Sequence, residues 1–544
     1  MKIALAQLNP VVGDIRGNVS RIGEFIDRAA AEGADLVVFG ELSVVGYPPR
    51  DLLRKEGLVA DSVAAVEELT RRCRGITALV GFVRPAPGEP GRRLQNAATV
   101  LADGEIRHVH VKTLLPRYDV FDETRYFEPG GRPACIEIAG RRIGLSICED
   151  LWDADVPGGR LHGQDPIGTL AADGAEVIVN MSAGPYEMGK ARVREEMLGR
   201  QAARHGTPIV YVNQVGGNDE LIFDGGSCVI SGDGRIAARA LSFSEDLLIA
   251  DPAAGGNRVE ELGGELPRLS AALKLGLRDY VRKCGFQSVV LALSGGLDSA
   301  VVAVLAADAL GPQNVHALAM PSRYSSDHSL ADAEALAGNL GISFRVVPIE
   351  PIHAACEQAM GDLPAGGDAE IAHENIQARI RGNLVMAVSN ASCHFPLAAG
   401  NKSELSTGYC TLYGDMCGGL APIGDVLKTL VYKLAEQLAS ERGGGRIPGR
   451  ILTKAPSAEL KPGQTDQDKL PPYSLLDEIL SRYIDEEKTA GRIVAEGFDP
   501  SVVDRIVRMV DAAEYKRRQA PPVLKVTSRA FGAGRRIPIA RRYA

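Results

Sequence analysis

The sequence predicts two α/β domains joined by a short linker. Its 544 residues exceed the roughly 250–300 at which a single hydrophobic core stops growing. Strand-like runs alternate with helix-length amphipathic segments in both halves. A stretch rich in Gly, Pro and acidic residues separates the halves, at Pro252 to Pro267. We therefore expect a first domain over residues 1–251, a linker over 252–268 and a second domain over 269–544.

The first half has the pattern of a mixed α/β domain. A helix is predicted in "VSRIGEFIDRAAAEG", which is apolar at helical spacing and ends at Gly33, and a hairpin in "SCVISGDGRIAAR". Apolar runs predict the strands "KIALAQL", "DLVVFGE", "TALVGFV", "NAATVLADGEIRHVHVK", "RIGLSICED", "EVIVNMS" and "PIVYVNQ".

The second half opens with a predicted helix in "LSAALKLGLRDYVRKCG". Buried-strand runs follow at "SVVLAL", "NVHALAM", "SFRVVPI" and "HFPLAA". Helix-length segments separate them, and this spacing is typical of βαβ units with a parallel sheet.

Composition excludes several classes of protein. The net charge of −8 argues against a general binder of nucleic acid or of membrane surfaces. No apolar run approaches the roughly 18 residues of a membrane helix, and the N-terminal "MKIALAQLNPVVGD" predicts a first strand, not a signal peptide. The nine cysteines are scattered without CxxC spacing, so we expect no zinc site, no disulfide framework and a reducing, cytoplasmic location.

The stretch "LALSGGLDSAVV" has the pattern of a phosphate-binding loop. A buried strand is predicted to end at Leu293 and a helix to begin near Ser299, with a Ser-Gly-Gly turn that points N–H groups at an anion. Asp298 would repel phosphate directly, so a bridging Mg²⁺ is the economical explanation. The loop resembles the pyrophosphatase loop of N-type ATP-dependent amide-forming synthetases. The resemblance implies ATP contacts from Ser294, Gly295, Gly296, Leu297, Asp298 and Ser299.

Five further stretches are similar to NAD synthetases: "MPSRYSSDHS", "ENIQARIRGN", "GNKSELSTGYCTLYGD", "SAELKPGQTDQDKLPPY" and "AAEYKRRQAPP". Glu404 is a second carboxylate suited to Mg²⁺ beside Asp298, and "ENIQARIRGN" predicts a polar helix start. The resemblance implies further ATP contacts from Ala399, Lys428 and Ser457. It implies contacts to a deamido-dinucleotide from Asn375, Arg381, Glu404 and Lys516. Ala399 stands where the family usually has Thr, so backbone groups are expected to replace that hydroxyl.

Three strand ends in the first half carry a nucleophile and its partners. Glu41 follows "VVFG", Lys112 follows "VHV", and Cys148 follows "IGLSI". A thiol of ordinary pKa needs a base or a cation nearby to react at neutral pH. Glu41 would take the thiol proton and then activate water, while Lys112 would lower the thiol pKa and stabilise the oxyanion. The set resembles the Glu-Lys-Cys triad of the nitrilase superfamily, and Glu123 matches that family's second acid.

Further residues of the first half are similar to the glutaminase domains of glutamine-dependent synthetases, in "LLPRYDVFDETRYFEPG" and "NMSAGPYEMGKARVRE". The resemblance implies a glutamine pocket formed by Tyr118, Phe121, Glu123, Glu149, Ser182, Gly184 and Lys190. Gly184 stands where the family usually has Ser, so that contact is expected from the backbone or from Ser182.

Together these resemblances imply a nitrilase-like αββα sandwich followed by a doubly wound parallel-sheet domain like that of adenine nucleotide alpha hydrolases. They imply hydrolysis of L-glutamine at Cys148 and ATP-dependent amidation of deamido-NAD⁺ in the second domain, with Mg²⁺ on Asp298 and Glu404. A protected path for ammonia is a physical expectation, because ammonium is not nucleophilic. Family members form oligomers, so a homo-oligomer with synthetase-domain dimer contacts is also implied.

Two alternatives remain at this stage. One is an N-type synthetase that acts on another carboxyl or carbonyl group, against which "PSRYSS" and "KPGQTDQD" argue. The other is a non-catalytic nucleotide sensor or scaffold, against which the intact triad and loop argue. The basic end "RRIPIARRYA" is expected to be a solvated surface segment, with a contact to anionic substrate or another subunit as the second interpretation.

Overall fold

The structure is a computed structural model that describes residues 1–88, 93–152, 163–361 and 369–541. The chain divides into two compact units, Met1–Gly264 and Glu265–Ala544. The first helix of the second unit begins at Glu265, so residues 265–268 of the expected linker are helical. Among the described residues, no helix is long and apolar enough to cross a membrane.

The first unit contains two six-stranded sheets and a two-stranded ribbon. Its strands are β1 Ile3–Gln7, β2 Leu36–Phe39, β3 Thr77–Pro85, β4 Leu94–Ala102, β5 Glu105–Val111, β6 Cys135–Ile138, β7 Arg141–Ile147, β8 Val177–Ser182, β9 Ile209–Asn213, β10 Val215–Asn218, β11 Leu221–Asp224, β12 Cys228–Ile230, β13 Ile236–Arg239 and β14 Asp246–Ala250. Its helices are α1 Ile15–Ala31, α2 Glu56–Thr70, α3 Pro166–Ala172 and α4 Lys190–His205.

The two sheets face each other, with helices outside both. Their strand orders are β14-β1-β2-β3-β4-β5 and β13-β12-β9-β8-β7-β6. Along β1, Ile3 and Leu5 pack between the sheets, whereas Ala4 and Ala6 pack toward α1 and α2, because successive side chains of a strand point to opposite faces. A third apolar cluster packs α3 and α4 on the outer face of the second sheet. This arrangement confirms the predicted αββα sandwich.

The second unit is built on a four-stranded parallel sheet of order β17-β16-β15-β18. Its strands are β15 Val289–Ala292, β16 Val315–Ala319, β17 Ser343–Val346 and β18 Phe395–Leu397. Its helices are α5 Glu265–Lys283, α6 Leu297–Leu310, α7 Asp327–Leu340, α8 Glu350–Met360, α9 Ala369–Ser392, α10 Lys402–Thr407, α11 Lys428–Ser440, α12 Gly449–Thr453, α13 Tyr473–Leu480, α14 Ala490–Ala495, α15 Pro500–Ala512 and α16 Glu514–Arg517.

Helices cover both faces of this sheet, as expected for a doubly wound fold. Val290 and Leu318 pack against Ile380 of α9 on one face, while α6 is buried almost all round beside β15 and β16. The carboxyl ends of parallel strands meet at one edge of a sheet, where α/β proteins bind ligands. Here that edge carries the loop after β15 and the segment after β18.

Three local predictions differ from the structure. The strand before the phosphate loop ends at Ala292 and α6 begins at Leu297, each earlier than predicted. Helix α9 begins at Ala369, so Arg381 lies within the helix and not at its start. The basic end is not simply solvated, because Arg535 and Arg541 bond Glu514 and Asp511 of the same unit; its last three residues lie outside the described ranges.

Candidate active sites

Three strand ends of the first unit bring Glu41, Lys112 and Cys148 together. Glu41 follows β2, Lys112 directly follows β5, and Cys148 directly follows β7. Lys112 Nζ lies 2.6 Å from Glu41 Oε1, and both side chains are fully buried. Both charges act on the partly exposed Cys148 thiol. The three residues form a compact site at one end of the sandwich.

The backbone at Cys148 is strained. Its φ is +43°, in the left-handed region that L side chains rarely adopt. Asp150 holds this turn by accepting hydrogen bonds from the backbone N–H groups of Ile147 at 2.9 Å, Leu114 at 2.8 Å and Thr113 at 3.1 Å. Asp150 therefore ties the nucleophile's turn to the segment that follows Lys112, which is how strain is maintained at a functional site.

Two polar residues that the sequence analysis missed hold the carboxylates. Asn96 Nδ2 donates to Glu41 Oε1 at 2.7 Å, and Tyr47 Oη donates to Glu123 Oε1 at 2.8 Å. Glu123 Oε1 also lies 2.8 Å from Lys112 Nζ. Asn96 could have been found from the sequence, because it is a polar residue within an apolar strand. The lysine is thus fixed between two carboxylates, each with a further donor.

Burial dominates the electrostatics of this site. It raises the pKa of the Cys148 thiol well above its usual value, Glu41 raises it further, and Lys112 lowers it. Lys112 lowers the thiol pKa, as predicted. Burial raises that pKa by more, so the pKa of Cys148 is raised overall and not lowered as expected. Burial also raises the pKa of Glu123 to about 7, against the lowering by Lys112. Burial lowers the pKa of Lys112, but Glu123 and Glu41 more than offset this, so it stays protonated.

A pocket that encloses about 440 Å³ of space, part of it open solvent, lies against the thiol. It is lined by Tyr118, Phe121, Cys148, Glu149, Leu151, Trp152, Ser182, Gly184, Pro185, Lys190, Arg194, Met197 and Tyr211. The structure thus brings together six of the seven residues expected to bind glutamine. Glu123 is the exception, because it is buried against Lys112.

The cavity has one acidic and one basic wall. Glu149 is buried and accepts a hydrogen bond from Tyr118 Oη at 2.9 Å. Lys190 lies 5.9 Å from the centre of the Trp152 ring, and Arg194 follows one turn later on α4. A cavity lined by both acidic and basic side chains suits a zwitterion with an ammonium and a carboxylate group. Both acids of the turn after Cys148, Glu149 and Asp150, are buried.

The second unit places the loop after β15 at the carboxyl edge of its sheet. Gly295 has φ +76°, and a Cβ there would lie 2.1 Å from the carbonyl oxygen of Ser329. Only glycine fits this position. The Ser294 and Ser299 hydroxyls lie 3.1 Å apart, and Ser294 Oγ accepts from the Gly296 N–H at 3.2 Å. The turn is therefore closed by its own hydroxyls at the N-terminus of α6.

Asp298 joins this loop to two other elements. Its carboxylate contacts Lys428 Nζ and accepts from Asn401 Nδ2 at 3.0 Å. Lys428 Nζ also lies 3.9 Å from Glu404 Oε1. Burial, and then the charge of Asp298, raise the pKa of Glu404 well above its usual value. The sequence analysis missed Asn401, which caps α10 and so orients both carboxylates.

These carboxylates do not form a complete metal cage. Within the described ranges, no group of three or more His, Cys, Asp or Glu side chains could hold a metal ion. Asp298 and Glu404 supply two hard oxygen ligands, which fits Mg²⁺, an ion that keeps several waters and takes the rest of its ligands from phosphate. The donor set is therefore compatible with Mg²⁺ delivered with a nucleotide.

Other predicted residues of the second unit have backbone partners. Lys516 Nζ donates to the carbonyl oxygens of Gly408 at 2.8 Å and Cys410 at 2.7 Å. Thr411 Oγ1 donates to Asn375 Oδ1 at 2.7 Å, so Asn375 and Lys516 converge on residues 408–411.

Arg381 Nε donates to the carbonyl oxygen of Met320 at 2.9 Å, and burial lowers the pKa of Arg381 to about 10. Ser457 Oγ donates to the carbonyl oxygen of Gln464 at 2.6 Å, so its hydroxyl closes a loop. Ala399 lies two residues after β18, on the segment that leads to α10.

Comparisons with known proteins agree with this division. The carbon–nitrogen hydrolase family model matches residues 2–255, and the NAD synthase model matches residues 269–520. The glutamine-dependent NAD(+) synthetase of Synechocystis sp. is 46% identical, with 99% of each chain covered. That of Thermotoga maritima is 40% identical, over 100% of this chain and 99% of its own.

A solved structure agrees over the full length. The glutamine-dependent NAD⁺ synthetase from Acinetobacter baumannii, in complex with ADP, matches with a TM-score of 0.78 and 40% identity, covering 99% of this chain and 98% of its own. The chain thus belongs to the glutamine-dependent NAD(+) synthetase family, with a carbon–nitrogen hydrolase domain followed by an NAD synthase domain.

Proposed function

We propose that this chain converts deamido-NAD⁺ (nicotinic acid adenine dinucleotide) to NAD⁺, with ATP as the activating substrate and L-glutamine as the source of ammonia. The observation that carries the proposal is the buried Lys112 between Glu41 and Glu123, beside the Cys148 thiol. Burying ionisable groups this close together costs stability, so such a cluster is expected where chemistry uses it. The ATP-dependent synthesis of NAD⁺ is supported by similarity, over the full length of the chain, to enzymes named glutamine-dependent NAD(+) synthetase.

In the first unit, Glu41 removes the thiol proton while Cys148 Sγ attacks the side-chain amide carbon of glutamine. The raised pKa of the thiol explains why a base is needed, since little thiolate exists at neutral pH. Lys112 stabilises the oxyanion, and the amide nitrogen takes a proton and leaves as ammonia. Glu41 then activates water, which hydrolyses the thioester to glutamate.

The cavity walls orient the substrate for this attack. Glu149 faces the α-ammonium group and Lys190 the α-carboxylate, while the aromatic rings of Tyr118 and Phe121 pack on the carbon chain. Their T-shaped pair, with ring centres 5.4 Å apart, supports a rigid wall there. Glu123 does not meet the substrate and instead positions Lys112.

In the second unit, the loop after β15 binds the phosphates of ATP. Its closed turn and its position at the N-terminus of α6 support this assignment, and the related synthetase from Acinetobacter baumannii forms a complex with ADP. The proposed ATP contacts are Ser294, Gly295, Gly296, Leu297, Asp298, Ser299, Ala399, Lys428 and Ser457. The proposed contacts to deamido-NAD⁺ are Asn375, Arg381, Glu404 and Lys516.

Asp298 and Glu404 are the residues that would hold Mg²⁺. When bound, the ion would neutralise charge on the departing pyrophosphate. The chain's own cation there, Lys428, already contacts Asp298 and lies near Glu404, so it can move its charge toward a phosphate.

The chemistry of the second unit has two steps. The nicotinate carboxylate attacks the α-phosphorus of ATP and pyrophosphate leaves, which gives an acyl-adenylate. Ammonia then attacks the acyl carbon, loses a proton and displaces AMP. A carboxylate is a poor electrophile, so ATP is spent to create a leaving group, and this accounts for a loop without a γ-phosphate lysine.

The cellular setting follows from the same resemblance. We propose a cytoplasmic homo-oligomer with contacts between synthetase domains. The nine cysteines, all without a disulfide, support a reducing compartment. Sedimentation velocity of the purified chain would show the number of subunits, and a monomer at assay concentration would contradict the oligomer.

The test is a matched set of assays on the full chain. NAD⁺ formation from deamido-NAD⁺ and ATP is expected with glutamine and with ammonium, alongside AMP and pyrophosphate. Nicotinate mononucleotide in place of deamido-NAD⁺ tests the acceptor. Release of ADP, or faster amidation of another carboxylate, would contradict the proposal.

A further inference from the structure

Gly184 lies on the cavity wall where related glutaminases usually carry a serine. Two substitutes for the lost hydroxyl were expected, the backbone N–H of Gly184 and the hydroxyl of Ser182. In the structure, the Gly184 N–H and the Ser182 hydroxyl both donate to other side chains. The Gly184 N–H donates to Asn213 Oδ1 at 2.8 Å, and Ser182 Oγ donates to Asn180 Oδ1 at 2.6 Å. Neither group has a proton left for a ligand.

The hydroxyl of Tyr211 occupies the neighbouring space. A Cβ placed on Gly184 would lie 3.0 Å from Tyr211 Oη, which is closer than about nine in ten Cβ contacts in proteins. The backbone of Gly184 cannot readily shift away, because Asn213 bonds both its N–H and, at 3.2 Å, its carbonyl oxygen. A side chain at position 184 would therefore require the tyrosine hydroxyl to shift by a few tenths of an ångström.

Tyr211 also lies at the basic wall of the cavity. The Arg194 guanidinium carbon is 5.3 Å from the centre of the Tyr211 ring. Arg194 is held by two hydrogen bonds of 3.1 Å to Asp224, and Lys190 lies one turn before it on α4. The positive charges of Lys190 and Arg194 make this wall the one suited to the carboxylate of a bound amino acid.

The tyrosine hydroxyl is suited to donate a hydrogen bond. Tyr211 is 4% exposed, and burial raises its pKa well above the usual value, so it keeps its proton. The Ser182 hydroxyl is a neighbour that acts in the opposite direction and lowers the Tyr211 pKa in part. Rotation about the C–O bond can turn the Tyr211 proton from this neighbour to a ligand.

We propose that the Tyr211 hydroxyl binds the α-carboxylate of glutamine, the contact for which a serine at position 184 would be used. The inference deepens the proposed glutaminase function and rests on it. It makes Tyr211 a specificity-determining residue, and it explains why glycine stands at position 184 in this chain.

The first test is Tyr211→Phe in the full chain. We expect the KM for glutamine to rise about tenfold, with kcat changed less than twofold, because a hydrogen bond to a charged group is lost without touching Cys148. With 4-aminobutanamide, which lacks the carboxylate, the variant and the parent are expected to be equal. Tyr126→Phe is the matched control, since its hydroxyl bonds Asp51 outside the cavity.

The second test is a double-mutant cycle. Gly184→Ser alone is expected to raise the KM for glutamine, because the new Cβ displaces the tyrosine hydroxyl. Gly184→Ser combined with Tyr211→Phe is expected to recover most of the loss, since the phenylalanine leaves room for the serine hydroxyl. Turnover of 4-aminobutanamide, which needs an intact Cys148 site, and the thermal unfolding of each variant report whether the substituted first unit is folded.

Three results would overturn the proposal: an unchanged KM in Tyr211→Phe, an equal loss with 4-aminobutanamide, or additive effects in the cycle. Failure of the proposed function is distinct, because the unsubstituted chain would then release no ammonia from glutamine.

Discussion

Lys112 Nζ lies 2.6 Å from Glu41 Oε1, and both side chains are fully buried. A lysine held this closely by an acid, with Glu123 on its other side, keeps its proton and cannot serve as a base. It remains a fixed donor for an oxyanion. Glu41 is therefore the residue that transfers protons in the first unit, and the prediction for Glu41→Gln below rests on this assignment.

Cys148→Ala is expected to abolish glutamine-supported NAD⁺ synthesis and to leave ammonium-supported synthesis, because the two reactions use different units. The measurement is the rate of NAD⁺ formation with each nitrogen source. Cys135→Ala is the control, a partly buried cysteine of the same unit that does not line the cavity. Loss of both activities in a folded Cys148→Ala protein would contradict the division of labour.

Glu41→Gln is expected to speed alkylation of Cys148 by iodoacetamide at pH 7. In the parent chain burial and Glu41 raise the thiol pKa, so the thiolate fraction is small at neutral pH and grows as the pH rises. Removing the charge of Glu41 leaves Lys112 to lower that pKa. Each pKa unit of lowering increases the thiolate fraction about tenfold.

The measurement for Glu41→Gln is mass spectrometry of the Cys148 peptide over a pH series. Cys284 and Cys393 are exposed and lie in the other unit, so their alkylation serves as an internal reference. A slower reaction of Cys148 at pH 7, with the reference unchanged, would show that Glu41 promotes the thiolate. Catalysis with glutamine is expected to fall by at least a hundredfold in the same protein, because the base is gone.

Asn96→Ala is expected to lower kcat for glutamine about tenfold with little change in KM, since the hydrogen bond at 2.7 Å holds Glu41 but no substrate. Asn96→Asp is expected to be worse, because it replaces a donor with a second negative charge beside Glu41. Its activity should recover partly as the pH is lowered enough to protonate one of the pair. Equal kinetics in Asn96→Ala and the parent would remove Asn96 from the site.

The sequence alone predicts the catalytic residues, because few other residue types could perform their reactions. Glu41, Lys112 and Cys148 each follow an apolar strand, and strand ends of one sandwich edge meet in space, so their proximity could be anticipated. Alternating strands and helices predict two α/β domains, with a parallel sheet in the second, whereas the αββα sandwich was implied by the family resemblance. The Ser-Gly-Gly loop is recognisable because a turn at φ +76° needs glycine.

Other features depend on packing that no local pattern contains. The net rise of the Cys148 pKa results from burial, which competes with Lys112 and exceeds it. The contact between Gly184 and Tyr211 joins residues far apart in the sequence. The early start of α9, which places Arg381 inside a helix, could not be read from a polar segment without apolar periodicity.

Gly295→Ala is expected to reduce NAD⁺ synthesis at least a hundredfold with glutamine and with ammonium alike. The new Cβ would lie 2.1 Å from the carbonyl oxygen of Ser329, so the phosphate loop or the start of α7 must move. Gly285→Ala is the matched control, since Gly285 has a similar φ of +86° but no atom within 4 Å of a Cβ. Both substitutions place alanine at positive φ and should lower the free energy of unfolding by about 1 kcal/mol through backbone strain. Only Gly295→Ala should also lose activity at temperatures where both proteins remain folded, and similar activity in the two variants would show that the loop tolerates displacement.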